Sequence, residues 1–282
     1  MKILNKEIEI KRKKIFLIGG KGRLGQSIAK VFNNHNLVVL DRKTYKDWFL
    51  PERFEDIKSK LETDKDSTGN IIMILSGIMN PDENKEFIFK VNYELPKNII
   101  KANEGTNNKI VTFGSVMEDL SPQANNYISS KKKLSSFVEE SKVDILSLKI
   151  HTLYGGGPPN EFMFLGQLLK SFKNKNIFEM SSGNQLREYH HVDDDAMAIK
   201  ELLYQNISGK EIISHGDAIP LKELTRTIFK NFNKLDQLKI GSLPDRTNEN
   251  YNIRFTKNPN LDNIMFRNTF DGVTDYLQKF LD

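Results

Sequence analysis

Three glycines, Gly19, Gly22 and Gly25, stand between a short β-rich run, Lys14–Ile18 (KIFLI), and a stretch over Lys21–Asn33 whose Leu24, Ile28, Ala29 and Phe32 share one helical face. Nothing else in the sequence narrows the fold as sharply. In a G-x-x-G-x-x-G turn from strand to helix, each glycine has its own cause. The first permits the tight turn, the second lets a diphosphate approach the backbone, and the third lets the helix pack close to the sheet. The helix then offers free N–H groups and its positive dipole end to the phosphates. Asp41 follows Gly25 by 16 residues, directly after the next apolar run, Leu37–Leu40 (LVVL), where a carboxylate can bind an adenosine ribose. Arg42 beside it, with Lys21 or Arg23 from the loop, could instead take a 2′-phosphate, so NAD and NADP both stay open.

The same rhythm continues downstream. Ile71–Leu75 (IIMIL), Lys109–Phe113 (KIVTF) and Asp144–Ile150 (DILSLKI) are further short β-rich runs, and Phe87–Ala102 reads as a helix. Runs without polar alternation suit strands covered on both faces. Strand–helix alternation of this kind predicts an α/β fold, a Rossmann doubly wound parallel sheet. At Gly155–Pro159 (GGGPP) the rhythm breaks. Residues 1–157 are expected to form the dinucleotide-binding domain. Residues 158–282, beginning with a helix over Phe162–Lys173, are expected to be mostly a smaller C-terminal substrate-binding lobe, with some segments returning to the main sheet.

Composition excludes several function classes. At 38% hydrophobic and 28% charged, the 282 residues can bury a core and are not biased towards disorder. The formal charge of +5 is spread along the chain rather than clustered with aromatics, which speaks against a nucleic-acid partner. The densest basic run, Lys11-Arg12-Lys13-Lys14, reads as a solvated lead-in to the first strand. There is no cysteine, so disulfides and thiolate chemistry are excluded. No stretch approaches the roughly 20 apolar residues of a membrane span. The first 14 residues also lack the uninterrupted apolar core of a secretory signal. These readings point to a soluble cytoplasmic protein, and no residue spacing suggests a metal.

Tyr127–Lys131 (YISSK) opens another helical stretch. Residues four apart share a helix face, so the phenol and the ammonium can point into one cleft. A phenol of pKa about 10 is a poor base at neutral pH, but a neighbouring cation favours the phenolate. Tyr127 can then serve as an acid toward a ketone or a base toward an alcohol. Alone, Y-x-x-x-K is common on surface helices, and Lys132 and Lys133 strengthen that alternative. Ser115 sets this one apart: it lies just after the KIVTF strand, 12 residues before Tyr127, where a hydroxyl can bond the reacting oxygen.

Together these residues resemble the extended short-chain dehydrogenase/reductase family, the NAD-dependent epimerase/dehydratase group. GGKGRLG resembles its cofactor loop, LSG at 75–77 the end of its fourth strand, and Asn92 its structural asparagine. FGS at 113–115 and YISSK match its catalytic Ser and Tyr/Lys pair. LKIHTLYGGGPP is similar to its strand and loop ending in Tyr-Gly-Pro. SSGNQLREYHHVDDDAMAI resembles its R-x-(F/Y)-x-H-V-x-D-x-A segment, and Leu243–Glu249 (LPDRTNE) its later segment with a phosphate-binding Arg. The resemblance runs from about Lys14 to Phe280.

It implies NAD or NADP as cofactor, a nucleotide-sugar substrate and a homodimer. The implied cofactor contacts are Gly19, Gly22, Arg23, Leu24, Gly25, Asp41, Arg42, Ser76, Gly77, Tyr127 and Lys131. Ser115, Tyr127 and Lys131 are the implied catalytic residues. Ser115, Arg187 and Arg246 are the implied substrate contacts, the two arginines gripping a diphosphate with guanidinium forks. His190 and His191 take packing or helix-start roles, with Asp193 or Asp194 capping a helix over Asp195–Leu203.

Departures from the family pattern narrow the reaction. In its 4,6-dehydratases an Asp-Glu pair follows the catalytic hydroxyl residue, whereas Val116 and Met117 stand there here, which argues against dehydration. Glu118 and Asp119 replace the usual Tyr-Gly, and His151 stands where an Arg-Pro pair is often found. The short chain and the 181–199 segment look most like reductases of nucleotide-linked 4-keto-6-deoxy sugars. The implied reaction is hydride delivery to the C4 ketone with Tyr127 as proton donor. The alternatives are a 4-epimerase that keeps its NAD and a non-catalytic NAD(P)-sensing protein.

Overall fold

A computed structural model describes residues 9–62, 69–80, 82–121 and 125–281. The first eight residues, part of the stretch read as lacking a secretory signal, lie outside them. β1 (Lys14–Ile18) runs into the glycine turn and α1 (Arg23–Val31) leaves it. β2 (Asn36–Val39), α2 (Phe54–Leu61) and β3 (Ile71–Ile74) follow. α3 spans 85–102, with the π-helical stretch Lys90–Glu94 inside it. Next come β4 (Lys109–Ser115), α4 (Asn126–Glu140), β5 (Asp144–Ile150) and β6 (Thr152–Tyr154). The chain continues through α5 (Phe164–Asn174), β7 (Phe178–Met180), β8 (Leu186–Arg187), β9 (Tyr189–His191), α6 (Val192–Tyr204) and β10 (Gly209–Ile212). It ends with β11 (Ile219–Pro220), α7 (Leu221–Asn231), β12 (Leu238–Ile240) and α8 (Thr269–Gln278).

The main sheet has six strands in the order β10-β5-β4-β3-β1-β2, every neighbour pair parallel. β1 has β2 on one side and β3 on the other, so the winding reverses between β1 and β3. This is the doubly wound α/β fold that the alternating runs predict. The apolar runs are explained by burial on both faces. Ile15 and Leu17 join one core with Ile71, Met73, Val111 and Leu146. Phe16 and Ile18 join the opposite core with Ile72, Ile74, Ile110 and Ile145. Each such apolar side chain, fully buried, stabilises the fold by about 1.5–3 kcal/mol.

α1 and α6 cover the first face, contributing Ile28, Ala198, Ile199 and Leu202. α2, α3 and α4 cover the second with Ile57, Ile99, Ile100 and Leu134. Two segments beyond residue 158 therefore belong to the sheet: α6 packs on α1, and β10 pairs with β5, Ile212 opposite Lys149. A third core lies away from the sheet, where Leu168 and Phe172 of α5 meet Leu224, Ile228 and Phe229 of α7 and Val273 and Leu277 of α8.

Candidate active site

In an open α/β sheet, ligands bind in the crevice at the carboxyl ends of the strands where the winding reverses. Gly19 turns the chain there at φ +87°, and a Cβ on it would stand 2.5 Å from Ser76 N, so the loop lies against the end of β3. Gly25 is required for a different reason: its Cβ would meet Gly20 Cα at 2.6 Å. Gly22 precedes α1 with no side chain to cap it, leaving the first N–H groups of the helix to another acceptor. Gly19, Gly22, Arg42, Tyr45, Ser76 and Gly77 line one cavity.

Asp41 sits at the rim of this crevice. Its Oδ1 accepts from Lys43 N at 2.9 Å, starting the single turn Arg42–Tyr45, and its Oδ2 accepts from Lys21 Nζ at 2.6 Å. The Lys21 bond, then the Lys43 amide, hold the Asp41 carboxyl below its ordinary range, while Asp41 raises Lys21. Arg23 leaves the loop toward the 155–160 segment. Gly156 packs against its side chain, and its guanidinium donates to Pro158 O and, at 3.0 Å, to Asn160 Oδ1. It ties the glycine loop to the 155–160 loop. Leu24 packs partly buried against the sheet core.

Ser115 ends β4, and Tyr127 and Lys131 lie on the first two turns of α4. The helix starts where it does because Asn125 Oδ1 accepts from Ile128 N at 2.9 Å. The Ser115 side chain faces the Tyr127 phenol and lowers its proton affinity. Lys131 Nζ donates to Phe113 O at 2.7 Å and lies 5.9 Å from the centre of the Tyr127 ring. A Cβ on Gly77 would stand 3.6 Å from Asn92 Oδ1 and 3.8 Å from Lys131 Nζ, so the end of β3, α3 and α4 converge on the ammonium. Asn92 fixes that junction. Its Oδ1 accepts from Ile78 N at 2.8 Å, and its Nδ2 donates to Ile78 O at 3.0 Å and Ser130 Oγ at 3.1 Å.

Burial, followed by the nearby Glu118 charge, pushes the Tyr127 phenol up to about 12, against a smaller opposing effect of the Ser115 hydrogen bond. Burial brings Lys131 down to about 8, with Glu118 opposing. Glu118 is a residue that sequence reasoning registered only as a departure from a pattern. It is 4% exposed, its Oε1 accepts from Ser115 N at 2.7 Å and its Oε2 from Ser135 Oγ at 2.6 Å.

On the other side of the 155–160 loop, a cavity of about 320 Å³ is lined by Arg23, Asn160, Phe178, Arg187, Arg246 and Glu249, among others. Both predicted arginines reach it. Arg187 is paired with Glu249 and donates to Leu186 O at 2.9 Å, while Arg246 is exposed. Glu249, which the sequence reading passed over, closes on the guanidinium from 62 residues away.

The start of α6 corrects one expectation. The helix begins at Val192, and its N-cap is His191, whose Nδ1 accepts from Asp193 N at 3.2 Å. β9 runs extended right up to His191, so neither aspartate sits at the cap. Asp193 accepts from Ser27 Oγ at 2.6 Å and Asp194 from Arg267 N at 2.9 Å. His190 is buried between Asp195 and Glu188.

A glycine crevice at the switch point, with a serine, a tyrosine and a lysine gathered beside it, defines a dinucleotide-binding α/β protein. The chain belongs to the NAD dependent epimerase/dehydratase family, whose model matches residues 15–214. No curated protein sequence matches it. Solved structures share the fold at low identity. One is a dTDP-4-dehydrorhamnose reductase from Bacillus anthracis in complex with NADP, 17% identical, TM-score 0.72, covering 95% of this chain and 99% of that one. Another is a UDP-N-acetylglucosamine 4-epimerase from Methanobrevibacter ruminantium in complex with UDP-N-acetylmuramic acid, 17% identical, TM-score 0.71, covering 95% and 97%. A third is the Bordetella bronchiseptica enzyme WbmG in complex with NAD and UDP, 13% identical, TM-score 0.71, covering 94% and 93%.

Proposed function

We propose that this chain is an NAD(P)-dependent oxidoreductase of nucleotide sugars that reduces a 4-keto-6-deoxy sugar at C4. The observation that carries the reading is the gathering of Ser115, Tyr127 and Lys131, the last two on one helix face, beside the crevice that Gly19, Gly22, Ser76 and Gly77 line. The crevice fits a dinucleotide: a Cβ at Gly19 would close it, and α1 has uncapped N–H groups for phosphate. When bound, the nicotinamide supplies hydride. Tyr127 gives its proton to the oxygen of the reacting carbonyl, and Ser115 orients that oxygen. Lys131 holds the cofactor ribose and keeps a positive charge near the phenol. Asp41, Arg42 and Lys21 face the adenosine end. Residues 158–282 supply most of the substrate lobe, where Arg187 and Arg246 take the diphosphate once Arg187 leaves Glu249.

The same residues would serve a 4-epimerase, which differs in retaining its cofactor. Releasing whatever dinucleotide the purified protein holds separates the two. Tightly held oxidised NAD supports the epimerase, and an empty site that reduces a 4-keto sugar with added NADPH supports the reductase. Tyr127→Phe separates both from a sensing protein, which would keep dinucleotide binding and its partner response. No helix among the described residues is long and apolar enough to cross a membrane. We read the enzyme as cytoplasmic and homodimeric. A single-protomer mass by light scattering would remove the second of these.

A further inference from the structure

Tyr127, Lys131 and Ser135 recur every four residues and so lie along one face of α4. Glu118, from the single turn Met117–Leu120, lies between that face and the end of β4. One carboxylate oxygen accepts from the Ser115 amide and the other from the Ser135 hydroxyl, at 2.7 and 2.6 Å. Its carboxylate also lies against the β4 backbone, since a Cβ on Gly114 would stand 2.5 Å from Glu118 Oε1. The charged and titratable groups brought against it are Tyr127 and Lys131 from α4 and Lys149 from β5. Lys149 stands 3.9 Å from Glu118 but only 2.6 Å from Asp119, which takes much of its charge. A buried anion is thus built in behind the Ser115–Tyr127 pair.

We propose that Glu118 is a positioning residue that holds Tyr127 in its proton-donating form and so sets the site for carbonyl reduction rather than alcohol oxidation. This rests on reading Tyr127 as the acid–base group. A buried negative charge disfavours a second one nearby, so the neutral phenol is the resting state. In reduction that phenol loses its proton to the carbonyl oxygen as hydride reaches the carbon. The alcohol forms, and the phenolate left behind is reprotonated from solvent. Oxidation needs the phenolate at the outset, which Glu118 opposes. The same anion favours the ammonium of Lys131, so one residue keeps both members of the pair protonated.

The test needs no sugar substrate. The ionisation of Tyr127 is read as tyrosinate absorbance of the full chain minus that of its Tyr127→Phe variant. In Glu118→Gln the amide oxygen can still accept from Ser115 N, and its NH₂ can donate to the Ser135 hydroxyl, so the bonds persist without the charge. At pH about 10, the ordinary phenol value, the Tyr127 phenolate fraction should rise about tenfold in Glu118→Gln, the effect of one unit of pKa. It should return to the wild-type level in Glu118→Asp. If Glu118→Gln does not fold, the double variant Glu118→Gln/Lys149→Met removes the anion and its cation together and should give the same rise. An unchanged or smaller phenolate fraction in the folded variant overturns the inference. Binding of NADH and NADPH, followed by nicotinamide fluorescence, is measured in parallel on the wild type. A chain that binds neither overturns the underlying reading instead.

Discussion

The molecule buries ionisable groups in two places and treats them in opposite ways. In the crevice, Lys131 Nζ donates to Phe113 O and Tyr127 faces Ser115, and an ammonium with three N–H groups keeps hydrogen-bonding capacity for a ligand. Around β9, Glu188 and His190 form a second cluster, closed at its centre. Glu188 accepts from His215 N at 2.6 Å, His190 Nε2 at 2.9 Å and Ser214 Oγ at 3.1 Å, while His190 Nδ1 meets Asp195 at 2.6 Å. His151 and His215 both stack on His190, ring centres 5.1 and 4.6 Å away. The side chains of Glu188, His190 and Asp195 are fully buried. Glu188 and His190 satisfy each other at its centre, while Asp195 Oδ2, His151 Nε2 and His215 Nε2 at its edge are buried without a hydrogen-bond partner among the described residues. Buried polar groups that satisfy one another fix a core, and those left partly open are free to act on a ligand.

Substitution should separate the two clusters most strongly. Tyr127→Phe should lower turnover by about 10²–10⁴, the range of a lost general acid. Its unfolding midpoint and its dinucleotide affinity should stay close to wild type. His190→Ala should do the reverse, leaving Glu188 and Asp195 without their shared partner at a cost of about 3–5 kcal/mol. Urea unfolding reads that loss directly. A His190→Ala protein of undiminished stability would remove the distinction between the closed cluster and the open one.

A pH series sharpens the same contrast. Burial lowers His190, but Asp195 and Glu188 outweigh it and raise the imidazole to about 9. Burial brings His151 down to about 3, with Glu188 opposing, and lowers His215. For His190 the folded value exceeds the unfolded value of about 6.5. Its contribution is therefore full below 6.5 and is lost as pH rises towards 9. For His151 the folded value is the lower one, so stability present above 6.5 is lost as pH falls towards 3. Glu188, held near 2 because its histidine partners outweigh burial, adds to the acid-side loss below its ordinary range. The unfolding midpoint should peak close to pH 6.5, and His151→Asn should flatten its acid side. A midpoint that climbs steadily from pH 6.5 to 9 would contradict the assignment of a charged His190.

The open cluster was far more legible in the sequence than the closed one, and the reason is distance along the chain. Gly19, Gly22 and Gly25 act within one turn, and Tyr127 and Lys131 are one helical turn apart, so their spacing already carries their geometry. The same holds for the strands, whose doubly apolar runs state that both faces are covered. Glu118 needed more. It is only three residues from Ser115, but its inward direction depends on the single turn Met117–Leu120 and on Gly114, which a Cβ would block. The closed cluster draws His151 from between β5 and β6, Glu188 and His190 from around β9, Asp195 from α6 and His215 from beyond β10. No local period links those positions. Arg187 reads as a diphosphate contact in the sequence, and its pairing with Glu249, 62 residues away on another loop, has no local pattern. The contacts of Arg23 with the 155–160 loop likewise have no signature in the glycine motif.

The exposed pair Lys21–Asp41 marks the weak end of the comparison, with the two side chains 73% and 51% exposed. Exposed ion pairs contribute little to stability and are screened by salt. Lys21→Ala should therefore leave the unfolding midpoint unchanged, unlike His190→Ala. Its effect should appear only in cofactor choice. With Lys21 gone, Asp41 keeps the Lys43 amide but loses the cation that offsets its charge, so a 2′-phosphate meets more repulsion and a 2′-hydroxyl a freer acceptor. The ratio of NADPH to NADH dissociation constants should rise several-fold, and the shift should shrink between low and physiological salt. An unchanged ratio would mean that Arg42 alone governs the adenosine end, and Arg42→Ala would then have to carry the whole effect.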